Sequence, residues 1–212
     1  MADIFDIFKK LESGRVAPSQ APVTHLVVGL GNPGKQYTHT RHNAGFLCID
    51  ALAEARGVRI DRLKFQALVG EATVGDRRVL LMKPQTFMNL SGAAVAEAAK
   101  FYKIPAENVI VICDDINLPV GAVRVRGKGS DGGQRGLRSI IGMMGSDAMP
   151  RIRVGVGSKP NPEYDLADWV LSTFAPSELE KIKGLYGVVA EGVEWLVKGE
   201  LEKAMQGCNR KG

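Results

Sequence analysis

The sequence predicts one α/β domain: a mixed, mainly parallel sheet flanked by helices and followed by C-terminal helices. Three observations predict it. Short β-rich apolar runs alternate with stretches of helical apolar spacing. Polar or glycine-rich segments follow several of these runs, as loops gathered at one end of a parallel sheet do. Finally, 212 residues, 45% apolar and 24% charged, suit a single globular core. That composition excludes a disordered or collagen-like chain. No uncharged apolar run approaches the ~18 residues of a membrane span.

Residues 1–22 read as an extension and linker ahead of a domain over 23–212. Ile4, Phe8 and Leu11 share one face of a short helix, and Ser13 to Pro22 is linker-like. Leu26–Leu30 is a buried strand. Ala44, Leu47, Cys48, Ala51, Leu52 and Ala55 repeat at helical spacing until Gly57. Strand-like runs follow at Phe65–Val74 and Arg78–Met82. Ser91 is expected to cap a helix through Lys103, and Val109–Cys113 is a further short strand. A strand at Ala122–Arg126 precedes a glycine-rich loop, Gly127–Gly133, and a helix over Leu137–Met144. Arg151–Val156 alternates base and apolar, as a half-exposed strand does. From Ser177 the chain reads as helical, with Ser177 and Glu180 in a capping-box pattern.

Three scattered cysteines, Cys48, Cys113 and Cys208, supply neither a disulfide framework nor a zinc site. Acids stand in the first residues where a signal or transit peptide carries bases. A reducing cytoplasm or organelle stroma is the expectation, the cytoplasm first. The net charge is +5 with a pI near 9.2. Val120 to Pro160 holds eight bases and two acids, a net +6 in 41 residues, against −1 over the other 171. A basic zone on a neutral body suits a polyanion-binding surface, because each neutralised phosphate releases counterions; a solvated charged face is the plainer reading.

Gly29-Leu-Gly-Asn-Pro-Gly34 matches the spelling of a dinucleotide fingerprint after a strand, with Asp50 beyond it. That fingerprint needs a helix to begin inside the glycines, so that its amides meet a pyrophosphate. Here polar residues run to His42 and helical spacing starts only near Ala44. The glycines are therefore expected to shape a turn at a strand end.

The polar loop holds Asn32, Tyr37, Thr40, Arg41, His42 and Asn43 directly before an apolar helix. The positive end of a helix dipole favours an imidazole that is free to accept a proton. Asp114 and Asp115 follow the strand Val109–Cys113 at the end where parallel sheets place ligands. A carboxylate there holds an imidazole in one tautomer, as in hydrolytic triads. No serine stands in a nucleophile-elbow pattern, so water activated by His42 is the expected nucleophile. Asn89, just before Ser91, either caps the turn or points into the cleft.

Val28 to Gly34, Thr40 to Gly45, Lys83 to Gly92, Asp114 to Pro119 and Arg153 to Gly157 together resemble the bacterial-type peptidyl-tRNA hydrolases. The likeness runs in order from about His25 through the C-terminal helices. It implies a monomeric α/β enzyme that cleaves the ester between a peptide and its tRNA without metal or cofactor and away from membranes. By that resemblance His42 is the base and Asp114 its orienting carboxylate. Asn32 and Asn89 grip the peptide near the ester and orient water, and Tyr37 and Phe87 line the place of the tRNA 3′ end. Arg124, Arg126 and Arg153 face tRNA phosphates.

The chain departs from the family at one point. The family has His-Asn after the paired glycines, where Gly132-Gly-Gln-Arg-Gly136 supplies Gln134 and Arg135. Gln134 keeps hydrogen-bonding capacity for substrate without titrating. Arg135 is expected either to meet a phosphate near the tRNA 3′ end or to pair with Asp131. The rival to the esterase is a relative that keeps the fold and the basic face but binds RNA without turnover.

Overall fold

The computed structural model describes residues 21–209, so the helical pattern of Ile4, Phe8 and Leu11 and most of the linker lie outside the described residues. Seven strands form one mixed sheet: β1 (Val23–Gly29), β2 (Arg62–Lys64), β3 (Ala67–Val74), β4 (Arg77–Pro84), β5 (Val109–Asp115), β6 (Val123–Arg126) and β7 (Arg151–Gly155), in the order β2-β3-β4-β1-β5-β7-β6. The central strands β4, β1, β5 and β7 run parallel, and β3, β2 and β6 pair antiparallel at the two edges.

Alternation divides the sheet into two buried faces. Val27, Leu81, Ile110, Ile112, Ile152 and Val154 point to one. That face is covered by α1 (Ala44–Ala55), α6 (Tyr186–Val197) and α7 (Leu201–Cys208). Leu26, Val28, Leu80, Met82, Val111 and Cys113 point to the other, under α2 (Ser91–Tyr102) and α3 (Arg135–Met144). Two further helices, α4 (Leu166–Leu171) and α5 (Pro176–Lys183), precede α6.

Several local readings shift in register. The strand expected from Phe65 begins at Ala67, because Phe65 and Gln66 both adopt positive φ (55° and 53°) and turn the chain back from β2. A tight hairpin asks for such angles, and the buried Phe65 ring is held in place by Phe101, 5.2 Å away. Ser91 does not accept a cap bond. Its hydroxyl donates to the Met88 carbonyl (2.8 Å), because a 3-10 turn at Met88–Leu90 already leads into the helix. The cap of α5 also sits two residues earlier than its spelling: Pro176 opens the helix, and Glu178 accepts from the Ala175 amide at 2.9 Å. The six-residue α4, capped by Asp165, is too short to show a period.

The half-exposed strand expected at Arg151–Val156 is a correction. Every second residue does face the same side, but α3 and the glycine-rich loop cover it, so Arg151 is only 2% exposed. Its guanidinium donates to the carbonyls of Gly129 and Asp147 rather than to water.

The glycine turn after β1 leads into 3-10 turns at Lys35–Tyr37 and Arg41–Asn43, and α1 begins only at Ala44. Gly29 and Gly45 let α1 press against the ends of β1 and β5. A methyl group on Gly45 would lie 2.6 Å from the Leu30 carbonyl oxygen, and one on Gly29 2.5 Å from that of Gly45. Gly45→Ala is therefore expected to destabilise the domain by about 1–3 kcal/mol through overpacking. Urea unfolding measures this directly, and an unchanged midpoint would mean that α1 is free to move off the sheet.

Candidate active site

Because β1 and β5 are parallel neighbours, the loops leaving their C-terminal ends meet. The first loop supplies Asn32 and the 3-10 turn carrying His42; the second strand ends on Asp114 and Asp115. His42 Nδ1 lies 2.9 Å from Asp114 Oδ2, with both residues buried. A carboxylate can only accept, so Nδ1 carries the proton and the Nε2 lone pair is left free. The remaining Asp114 oxygen, Oδ1, accepts from Gln134 Nε2 at 2.9 Å. Asp115, on the opposite side of the strand, lies 3.1 Å from Arg153 Nε and accepts from the Asn117 backbone amide.

Asn32 is locked by three bonds. Its backbone exchanges hydrogen bonds with the Asn43 side chain (2.8 and 3.0 Å), and its own Oδ1 accepts from the Met88 amide at 2.9 Å. With Oδ1 committed in this way, Asn32 lines a cavity of about 390 Å³. Asn32, Tyr37, His42, Phe87, Asn89, Asp114, Gln134, Arg135 and Arg153 all line this cavity. Asn89 thus faces the cleft and caps no turn, and Phe87 presents its ring at 60% exposure.

Arg124 and Arg126 stand outside the cavity, exposed on the edge strand β6, with Arg124 directly across from Arg153. Arg135, the first residue of α3, is exposed at the cavity rim, and Arg138 rather than Arg135 takes Asp131 (3.1 Å). The basic zone is thinner than its spelling. Arg151 is buried against carbonyls and Arg153 is paired, leaving Arg124, Arg126, Lys128 and Arg135 as exposed cations with no ion pair among the described residues. Sequence reasoning missed the wall formed by Leu166, Val170 and Leu171 of α4, and it missed what holds that wall.

The holder is Arg41, the neighbour of His42. Its guanidinium donates to both oxygens of Glu178 (3.0 and 2.8 Å), to the Val156 carbonyl (2.9 Å) and to Ser172 Oγ (3.1 Å). Its face stacks 3.8 Å from the Trp169 ring centroid. Backbone bonds from Arg41 N to Ser172 O and from Phe174 N to His39 O complete the attachment. The only sequence sign was an arginine among polar residues, whose partners lie over 100 residues away.

The family model for peptidyl-tRNA hydrolase matches residues 26–212. A protein of that name from Caldicellulosiruptor bescii is 46% identical over 185 residues, covering 87% of this chain and 96% of the relative. Another from Caldanaerobacter subterraneus is 48% identical, covering 87% and 99%. The crystal structure of peptidyl-tRNA hydrolase from Acinetobacter baumannii superposes with a TM-score of 0.83 at 33% identity, covering 89% of this chain and 95% of that one.

The Arg41 clamp is pH-sensitive. Burial tends to raise the Glu178 carboxyl, but the bonds from Arg41 and the Ala175 amide outweigh it and hold the group below its ordinary value. A lowered folded value adds stability that is present above the unfolded value and lost as pH falls through the folded one. Glu178→Gln is thus expected to lower Tm at pH 7, with the gap from the parent protein closing on acidification below the ordinary carboxylate range. Thermal melts across pH 3–7 check this; a gap independent of pH would show that the pairing contributes nothing.

Proposed function

The chain belongs to the peptidyl-tRNA hydrolase family, and on that premise we propose that it frees tRNA by direct attack of water on the peptide–tRNA ester, with His42 as general base. The reaction is ester hydrolysis, giving a free peptide carboxylate and a tRNA with its terminal hydroxyl restored. The observation that carries the mechanism is the buried 2.9 Å contact between His42 Nδ1 and Asp114. It leaves Nε2 as the acceptor for a proton of water. His42 then passes that proton to the departing ribose oxygen, and Asp114 stabilises the imidazolium between the two steps.

The amides of Asn32 and Asn89 supply donors for the carbonyl oxygen as it gains charge, a role whose strength comes from groups fixed beforehand. Asn32 is well suited, because its acceptor is already committed to Met88. Tyr37 and Phe87 offer ring faces to the terminal nucleotide, since stacking accepts any base. Arg135 at the rim and Arg124 and Arg126 on the edge strand meet phosphates. Arg153 would have to release Asp115 to do so, and we assign it to shaping the site instead. The relatives are named as hydrolases, and the rival reading of an RNA-binding protein without turnover finds no support among them. We propose a cytoplasmic monomer; Cys48 and Cys113, free and buried, suit a reducing compartment.

His42→Ala is expected to lower kcat by about 10²–10⁴ while tRNA binding survives, and Asp114→Asn to lower kcat with little change in KM. Single-turnover release of an N-acetylated aminoacyl group from tRNA reads both, and near-normal turnover of His42→Ala would dismiss it as the base. For the rim, Arg135→Ala should weaken binding similarly across tRNAs. It should also flatten the slope of log K against log salt by roughly 0.7–0.9, the share of one neutralised phosphate. An unaltered slope would leave Arg135 without a phosphate.

A further inference from the structure

We propose that Gln134 is a positioning residue for Asp114, tying the orientation of the catalytic carboxylate to the first turn of α3; the inference rests on the His42–Asp114 reading above. Gln134 is buried at the N-cap of α3. Its Oε1 accepts from the Leu137 amide at 2.7 Å, which settles the direction of the side chain. A flipped amide would set oxygen against the Asp114 carboxylate and nitrogen against an N–H donor, two repulsive contacts in place of two bonds. In the orientation that remains, Nε2 donates to Asp114 Oδ1 at 2.9 Å and lies 3.2 Å from Met88 Sδ.

Both ends of the amide are therefore committed, and no donor is left for substrate. The sequence expectation that Gln134 binds substrate gives way to a different role. Asp114 is held at both oxygens, Oδ2 by the imidazole and Oδ1 by a neutral amide anchored in a helix. A carboxylate held at one oxygen swings about its terminal torsion, which is broad and soft. One held at two presents a fixed lone pair to His42 Nδ1. The charged and titratable groups that line the cavity around this pair are Asp115 on β5, Arg153 on β7, Arg135 on α3, Asp165 at the start of α4 and Tyr37, with the Cys113 thiol next in the chain. None of them is hydrogen-bonded to Asp114 Oδ1, so among the described residues Gln134 is what restrains that oxygen.

Gln134→Glu separates the two bonds. The introduced carboxylate still accepts from Leu137 N–H and keeps the cap, but once ionised it cannot donate to Asp114. Gln134→Leu loses both bonds. For Gln134→Glu, kcat at pH 8 is expected to fall roughly 10–100-fold, the usual loss when a partner that orients a reacting group is removed. KM should stay within about twofold. The acid limb of kcat/KM should move up by about one pH unit, because added negative charge favours the protonated imidazole. Its Tm should fall at pH 8, where two buried carboxylates meet, and recover on acidification, whereas Gln134→Leu should lose Tm at every pH together with kcat. Parent-like kcat and acid limb in Gln134→Glu would overturn the proposal, as would a change confined to KM. His42→Ala run in parallel separates the failures: an active His42→Ala sinks the catalytic reading itself. An inactive one beside a parent-like Gln134→Glu sinks only the role of Gln134.

Discussion

Two consecutive carboxylates buried at the end of β5 set most of what surrounds them. Asp114 is 3% exposed and Asp115 4%, and an ion left unpaired at that depth costs several kcal/mol. Strand alternation sends the two side chains to opposite sides, so each needs its own partners. Asp114 draws in His42 from the loop after β1 and Gln134 from the cap of α3. Asp115 takes Arg153 from the adjacent β7 and the amide of Asn117 in its own turn. Three loops and a neighbouring strand are thereby fixed around one strand end, and the cavity is the space left between them.

Positioning continues outward through a second buried charge. Arg41 immediately precedes His42, and four hydrogen bonds of its guanidinium are spread over α5, the end of α4 and the strand exit at Val156. Planar, bidentate pairing with Glu178 and stacking on Trp169 are properties of a guanidinium that lysine cannot copy. The C-terminal segment therefore does two things at once: it roofs the cavity with Leu166, Val170 and Leu171, and it holds the turn that carries His42. Stability and the shape of the cavity share this residue.

The arginines of the basic zone divide by the same logic. Arg151 and Arg153 project from β7 to a face that α3 and the glycine-rich loop cover, and there they satisfy carbonyls and a carboxylate. Arg124 and Arg126 lie on an edge strand, and Arg135 on the first turn of α3, where solvent reaches them. Of eight neighbouring cations, only those with no internal partner remain to produce an external field.

The α/β class, most of the strands and helices, the late helix start after the glycine motif, and the placing of His42 and Asp114 after neighbouring strands are legible in the residues themselves. These are local facts: side-chain period and residue type are written along the chain. Tertiary packing decided that Arg151 is buried, that Gln134 donates to Asp114, that Arg138 takes Asp131 from Arg135, and that Arg41 fastens α4 over the site. Each of those depends on which element covers which face, and on partners as far apart as the 137 positions between Arg41 and Glu178. Periodicity tells a side chain which way to point. Whether it meets water, a carbonyl or a carboxylate there is settled by the packing of segments remote in sequence, because the cost of burying a charge is set by the whole set of groups around it.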